Sequence, residues 1–171
     1  MKINKTTSLP LDQFIEFALY NKDSGYYMKK NPFGKEGDFI TAPNITRLFS
    51  EMIAIWVLTF WKSIGSPKKF NLLELGAGNG EMMKVIIETL KNFSECFDNC
   101  NFQIHEKSEL LKKKQQLNLK SEKITWIENI KVNNSYPTVF LANEFFDALP
   151  IKQFFKKKEG WVERFVYLKE E

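Results

Sequence analysis

A chain of 171 residues with 43% hydrophobic and 27% charged side chains can bury the core of one globular domain, which excludes a disordered or fibrous protein. The formal net charge of +4 is mild, and the lysine triplets Lys112–Lys114 and Lys156–Lys158 read as a solvated helix face and a hairpin turn rather than a nucleic-acid surface. The longest apolar run, Met52–Trp61, is about half the roughly 20 residues of a membrane span, and no signal-peptide stretch opens the chain, so a cytoplasmic protein without a membrane span is expected.

Pro10–Tyr20 spaces Leu11, Phe14, Ile15, Ala18 and Leu19 as one helix, stopped by the NKDSG stretch that ends at Gly25. Gly25–Pro43 has no sustained period and mixes Gly and Pro with aromatic residues, the pattern of an ordered, functional loop. A second helix is expected from Asn44, as cap, through Ile45, Leu48, Phe49, Met52, Ile53 and Trp56 toward Gly65 and Pro67. It is apolar on more than one side and should be well buried.

Beyond Pro67 short apolar runs alternate with helical stretches. Strands are expected at Phe70–Leu75, Phe102–His105, Lys123–Ile127 and Thr138–Ala142, and helices at Glu81–Leu90 and Ser108–Leu119. That alternation points to βαβ units and a parallel sheet. Ile151–Phe155 and Trp161–Leu168 flank a KKKEG turn and read as a hairpin. Cys96, Cys100 and His105 lack a fourth ligand and metal-site spacing, so the cysteines read as reduced thiols and no metal is expected.

Three segments carry chemistry. In FNLLELGAGNGEM, Gly76, Gly78 and Gly80 lie between a strand and a helix, where the backbone can turn tightly and approach a ligand. Glu74 at the strand end suits a ligand with cationic groups, such as the ammonium and sulfonium of S-adenosylmethionine, better than a pyrophosphate. Glu106 ends the next strand, 26 residues after Gly80, where a carboxylate can accept both ribose hydroxyl protons; the competing reading is a surface acid at a helix start.

The third segment is ANEFFDALP, which follows the strand at Thr138–Ala142. Asn143, Glu144 and Asp147 would face the same crevice as the glycine turn, because ligands in open parallel sheets sit beyond the carboxyl ends of the strands. If Glu144 and Asp147 enter a helical turn, their spacing puts both acids on one side. With Phe145 and Phe146 beside them they could hold a guanidinium; ordinary acidic capping of a helix is the alternative.

Together, ALYNKDSGYY, FGKEGDFITAP, LLELGAGNGEMM, HEKSELLKKKQ and LANEFFDALPIKQF followed by WVERFV resemble the MidA family of class I methyltransferases. That family includes bacterial proteins and a mitochondrial complex I assembly factor. GDFITAP and NEFFDALP carry the resemblance most specifically, and the stretches cover nearly the whole chain in the family's order. The resemblance implies S-adenosylmethionine as cofactor and, for the mitochondrial members, an arginine of a complex I subunit as acceptor. The mitochondrial matrix then becomes the alternative compartment.

Carried to matching positions, the resemblance supports Gly76, Gly78, Glu106, Asn143, Glu144 and Asp147 around cofactor or acceptor. It places Gly37, Asp38 and Thr41 on a covering loop. The chain departs from the family at Ala77 and Asn79, where proline and arginine are common, and at Asn44, where glutamate is usual. Family members also continue well beyond this chain.

The expected fold is therefore α/β, a Rossmann-like class I methyltransferase sheet without its C-terminal strands. An N-terminal helical and loop extension (1–66) would precede a partial cofactor-binding domain (67–171). The strand at Thr138–Ala142 would show an open edge, and a separately encoded C-terminal half is a candidate partner. The leading reading is an S-adenosylmethionine-dependent protein arginine methyltransferase. A non-catalytic remnant that binds cofactor or a partner is the first alternative. A nucleic-acid methyltransferase is the second, weakened because no proline separates Asn143 from Phe145.

Overall fold

A computed structural model describes residues 8–34, 37–120, 123–130 and 135–167. In chain order the elements are β1 (Leu9–Pro10), α1 (Leu11–Tyr20), α2 (Tyr26–Lys29), α3 (Ala42–Ile45), α4 (Arg47–Ser63), β2 (Phe70–Leu75), α5 (Glu81–Leu90) and α6 (Ser94–Asn99). They continue with β3 (Cys100–His105), α7 (Glu109–Leu119), β4 (Ile124–Ile127), β5 (Thr138–Leu141), a 3-10 turn (Phe146–Ala148), β6 (Phe154–Lys157), β7 (Gly160–Glu163) and β8 (Phe165–Val166). They form two compact units, one from Asn31–Phe145 and the other from the residues before it together with Phe146 onward. This division differs from a boundary after residue 66, because α4 packs on α5 and so belongs with the sheet.

The larger unit is a parallel sheet in the order β4-β3-β2-β5. Every residue of the central strand β2 is buried, the polar Asn71 and Glu74 included, as in a strand covered on both faces of a parallel sheet. From β2 the chain builds outward through β3 to β4, then returns to the other flank of β2 as β5. The order therefore reverses between β2 and β5, which creates a topological switch point at their carboxyl ends. Helix α5 packs against both α4 and α7, and Trp61, Phe70, Leu72, Met83, Ile86, Leu90, Phe102 and Ile104 form the centre of the core. At the opposite end of the strands, Asn101 Nδ2 donates to Asn71 Oδ1 and Asn71 Nδ2 to Thr138 Oγ1, each at 3.1 Å, a polar ladder across β3, β2 and β5.

The region before the sheet differs from the sequence expectation in two ways. Helix α4 starts at Arg47, not Asn44: Thr46 is its cap, accepting from the Leu48 backbone N–H at 3.2 Å, while Asn44 lies in α3 and donates to Thr41 Oγ1 at 2.9 Å. Substituting Thr46→Ala is expected to cost about 1 kcal/mol of stability, measured by urea unfolding, because the first-turn N–H loses its acceptor. Second, α4 is not buried all round. Ala54, Val57, Leu58 and Trp61 face the core, whereas Leu48, Met52, Trp56 and Phe60 form a second apolar face that is exposed, Met52 by 58% and Trp56 by 52%. Edge strand β5 likewise exposes Phe140.

The smaller unit joins α1 and α2 to the segment after the sheet. β1 pairs antiparallel with β8, and the Tyr20 hydroxyl donates to the Ala148 carbonyl at 2.9 Å. The expected hairpin is present as β6 and β7, with Lys158 and Glu159 in its turn; Leu168 lies outside the described residues. Lys112–Lys114 lie on α7 as expected, whereas of the second triplet Lys156 and Lys157 pair within β6 and only Lys158 lies in the hairpin turn. The short helix α2 falls within Gly25–Pro43, expected as loop, and the short helix α6 falls in a stretch given no element from the sequence.

Candidate functional site

Strand register brings the predicted residues to one end of the sheet. Leu75 of β2 pairs with His105 of β3, so Gly76 and Glu106 leave adjacent strands side by side, and Gly76 N–H donates to the His105 carbonyl at 3.0 Å. Glu74 pairs in register with Leu141 of β5, so Asn143 and Glu144 follow on the other flank. The turn from β2 into α5 is left-handed at Gly76, Gly78 and Gly80, with φ of +66°, +54° and +81°, which glycine alone adopts without strain. A methyl group at Gly76 would come within 2.7 Å of the Phe145 ring. Phe145, in the segment that follows β5, thus packs on the first glycine of the turn.

Glu74 is buried, with 3% exposure, and does not form a rim to the crevice. Burial, then the nearby Glu106 charge, push its carboxyl up to about 8, against a weaker opposing bond from the Met83 backbone N–H. Its Oε2 has no hydrogen-bond partner. An orphaned acid oxygen at the strand end before the glycine turn fits a ligand that brings a donor or a positive charge.

Glu106 is not a surface helix-capping acid. Ser108 caps α7, accepting from Leu111 N–H at 3.4 Å, and itself donates its backbone N–H to Glu106 Oε1 at 2.9 Å. Gln115 Nε2 donates to the other oxygen, Oε2, at 3.0 Å. Burial raises the Glu106 pKa, while the bonds from Ser108, Gln115 and Lys107 oppose that shift. A carboxylate held on both oxygens from the protein side keeps lone pairs for a vicinal diol.

The loop expected to cover the site is anchored to the glycine turn. Asn79 Nδ2 donates to the Phe33 carbonyl at 3.1 Å, and the Phe33 ring lies on Gly78. Beyond Phe33, the Gly34 N–H donates to the Phe39 carbonyl, and a side chain at Gly37 would run into the Pro32 carbonyl. Gly37 therefore closes the loop, Asp38 is exposed, and Thr41 caps α3; Lys35 and Glu36 lie outside the described residues.

The residues expected to face an acceptor are arranged differently from the expectation. Glu144 has φ +48°, left-handed rather than helical, so the 3-10 turn starts only at Phe146 and does not put Glu144 and Asp147 on one helical side. Both are exposed, and Asp147 belongs to the smaller unit, where its charge and burial raise the Tyr27 pKa, burial being the larger cause. Cys96 and Cys100 are buried free thiols whose pKa burial raises, to about 11 for Cys96. His105 Nδ1 lies 3.1 Å from the Ile127 carbonyl, which makes it a strand residue bonded to its neighbour.

Sequence reasoning missed Gln115 and Trp126. Gln115 is fully buried; its Nε2 bonds Gly78 O and Glu106 Oε2, and its Oε1 accepts from Trp126 Nε1 at 2.9 Å. The signal was present in Leu111, Gln115 and Leu119, an apolar stripe at four-residue spacing interrupted by one amide.

Residues 52–171 match the family model described as a putative S-adenosyl-L-methionine-dependent methyltransferase. The chain belongs to this MidA-type methyltransferase family. It is 31% identical over 189 residues to human protein arginine methyltransferase NDUFAF7, mitochondrial, covering 96% of this chain and 43% of that protein. It is 33% identical over 174 residues to the Drosophila melanogaster homologue, covering 88% and 39%. A crystal structure of a Burkholderia thailandensis protein bound to S-adenosyl-homocysteine shares the fold at TM-score 0.78 and 24% identity, covering 95% of this chain and 43% of that one. The chain thus spans less than half the length of these relatives. Among the described residues no helix is long and apolar enough to cross a membrane.

Proposed function

We propose that this chain is the S-adenosylmethionine-binding part of a protein arginine methyltransferase whose acceptor lies in a respiratory complex I subunit. The observation that carries the proposal is the pairing of the left-handed glycine turn with Glu106, held on both oxygens at the adjacent strand end. The names of the relatives support the arginine acceptor, and their mitochondrial location fits the matrix. A bacterial cytoplasm would equally keep both cysteines reduced.

In this reading the backbone of Gly76–Gly80 and the Glu74 carboxyl receive the methionine portion, and Glu106 receives the ribose diol. The loop bearing Gly37, Asp38 and Thr41 covers them. The cofactor, when bound, supplies a methyl group on a sulfonium. A guanidinium holds its proton with a pKa above about 12, so the protein must align the acceptor nitrogen and accept a proton as transfer proceeds. Glu144 and Asn143 fill that role after β5; Asp147 belongs to the other unit and is tested separately.

The test is methyl incorporation into arginine peptides alongside S-adenosylhomocysteine binding. Glu144→Gln and Asp147→Asn are expected to keep binding within about twofold while slowing transfer about a hundredfold, the scale of a lost general base. Normal turnover in both variants overturns the acid assignment.

A second reading, a cofactor- or partner-binding protein without turnover, is favoured by edge strand β5, which leaves Phe140 exposed. Expression with a C-terminal half encoded in an adjacent reading frame separates the two. Methylation by the chain alone supports the first reading, and methylation only on addition of that half supports a split enzyme.

A further inference from the structure

We propose that Gln115 is a positioning residue of the cofactor site, its one side-chain amide holding the Glu106 carboxylate and the Gly78 carbonyl in fixed relation so that the ribose acid is preset against the glycine turn. This role rests on the reading of Glu106 as the ribose acid.

The hydrogen bonds leave one orientation for the amide. Trp126 Nε1–H can only donate, and it lies 2.9 Å from Gln115 Oε1. The Gly78 carbonyl can only accept, and it and Glu106 Oε2 each lie 3.0 Å from Gln115 Nε2. Turning the amide over would set oxygen against two acceptors and NH2 against a donor, losing three bonds at a site with no exposure. Both amide protons and the amide oxygen are used, so the buried group is satisfied.

Chain topology shows what the bridge joins. Gly78 follows β2 and Glu106 follows β3; past the Gly76 N–H bond to the His105 carbonyl, an α7 side chain spans the two segments. One turn further along α7, Asn118 Nδ2 donates to the Asn79 carbonyl at 2.9 Å, so the same helix grips the glycine turn at two successive carbonyls. Ser108 N–H on Oε1 and Gln115 Nε2 on Oε2 fix the plane of the Glu106 carboxylate. A leucine at 115 would continue the Leu111–Leu119 stripe, so the position gives up apolar packing for this connection.

The test compares two ligands by calorimetry on the intact chain, S-adenosylhomocysteine and its 2′-deoxy analogue. The wild-type chain is expected to prefer the hydroxylated ligand by about tenfold or more, the scale of a hydrogen bond to a charged group. In Gln115→Met the preference falls toward unity while circular dichroism and the affinity for the deoxy analogue change little. Lys113→Met, on the exposed flank of the same helix, keeps the full preference. Trp126→Phe removes only the donor that orients the amide; it should lower the preference in the same direction, and it decides the matter if Gln115→Met does not fold.

An undiminished preference in Gln115→Met, or in Trp126→Phe should the first variant not fold, overturns the positioning role while leaving the cofactor reading intact. A folded wild-type chain that binds neither ligand overturns the cofactor reading, and the role of Gln115 with it.

Discussion

Gly76→Val is expected to lose measurable S-adenosylhomocysteine binding and about 2–4 kcal/mol of stability, read by calorimetry and urea unfolding. Gly76 has φ +66°, where an L-residue pays about 1–2 kcal/mol and a β-branched one more. The new side chain must also displace the Phe145 ring, which a Cβ would approach to 2.7 Å, adding an overpacking cost of about 1–3 kcal/mol. The variant therefore deforms the turn and the segment after β5 together. Gly65→Ala is the control: Gly65 is also left-handed, at φ +89°, but its Cβ would meet open space, so strain alone should appear and binding should persist. Equal binding by Gly76→Val and the wild type would mean that the ligand does not use this turn.

Glu74→Gln is expected to remove a slope from the pH dependence of stability. The unfolded carboxyl titrates near 4.5 and the folded one near about 8, because burial and then the Glu106 charge disfavour ionisation. Below the lower value both states hold the proton and Glu74 contributes no slope. Between the two values only the folded state holds it, so stability falls by about 1.4 kcal/mol per pH unit as pH rises, and the loss is complete above the folded value. Glutamine keeps the shape and carries no charge, so thermal melts from pH 5 to 8 should flatten. Ligand binding acts on the same proton: a cationic ammonium favours ionised Glu74, so binding near neutrality releases a proton and affinity rises toward pH 8. Proton release is read by titrations in buffers of different ionisation heat. An unchanged pH slope in Glu74→Gln would contradict the raised carboxyl.

The sheet was legible because its signals are local. Phe70–Leu75 is a bounded apolar run and Glu81–Leu90 a periodic one, and both match β2 and α5 to the residue. Gly76–Gly80 between them needs positive φ at three positions, which composition alone advertises. The failures come from contacts that sequence spacing cannot see. Glu144 and Asp147 are three apart, but spacing aligns side chains only within a helix, and the left-handed Glu144 starts none. Helix α4 reads as apolar on two sides and is so, yet hydrophobicity does not say what covers Leu48, Met52 and Trp56, which stand exposed. Asn44 and Thr46 are both good caps, and Thr41 takes up the Asn44 side chain, leaving Thr46 for α4. Gln115 required two partners distant in sequence, Gly78 and Trp126, to be recognised as anything but a solvated helix residue.

The central claim, that Gly76–Gly80 and Glu106 form an S-adenosylmethionine site, is tested most directly by calorimetric titration of the intact chain with S-adenosylhomocysteine, beside Glu106→Ala. The account predicts saturable binding at one site per chain, weakened by about tenfold or more in Glu106→Ala, since a charged acceptor of the ribose hydroxyls is lost. A chain with the circular dichroism of a folded α/β protein and no heat of binding would contradict it, as would binding that Glu106→Ala leaves unchanged.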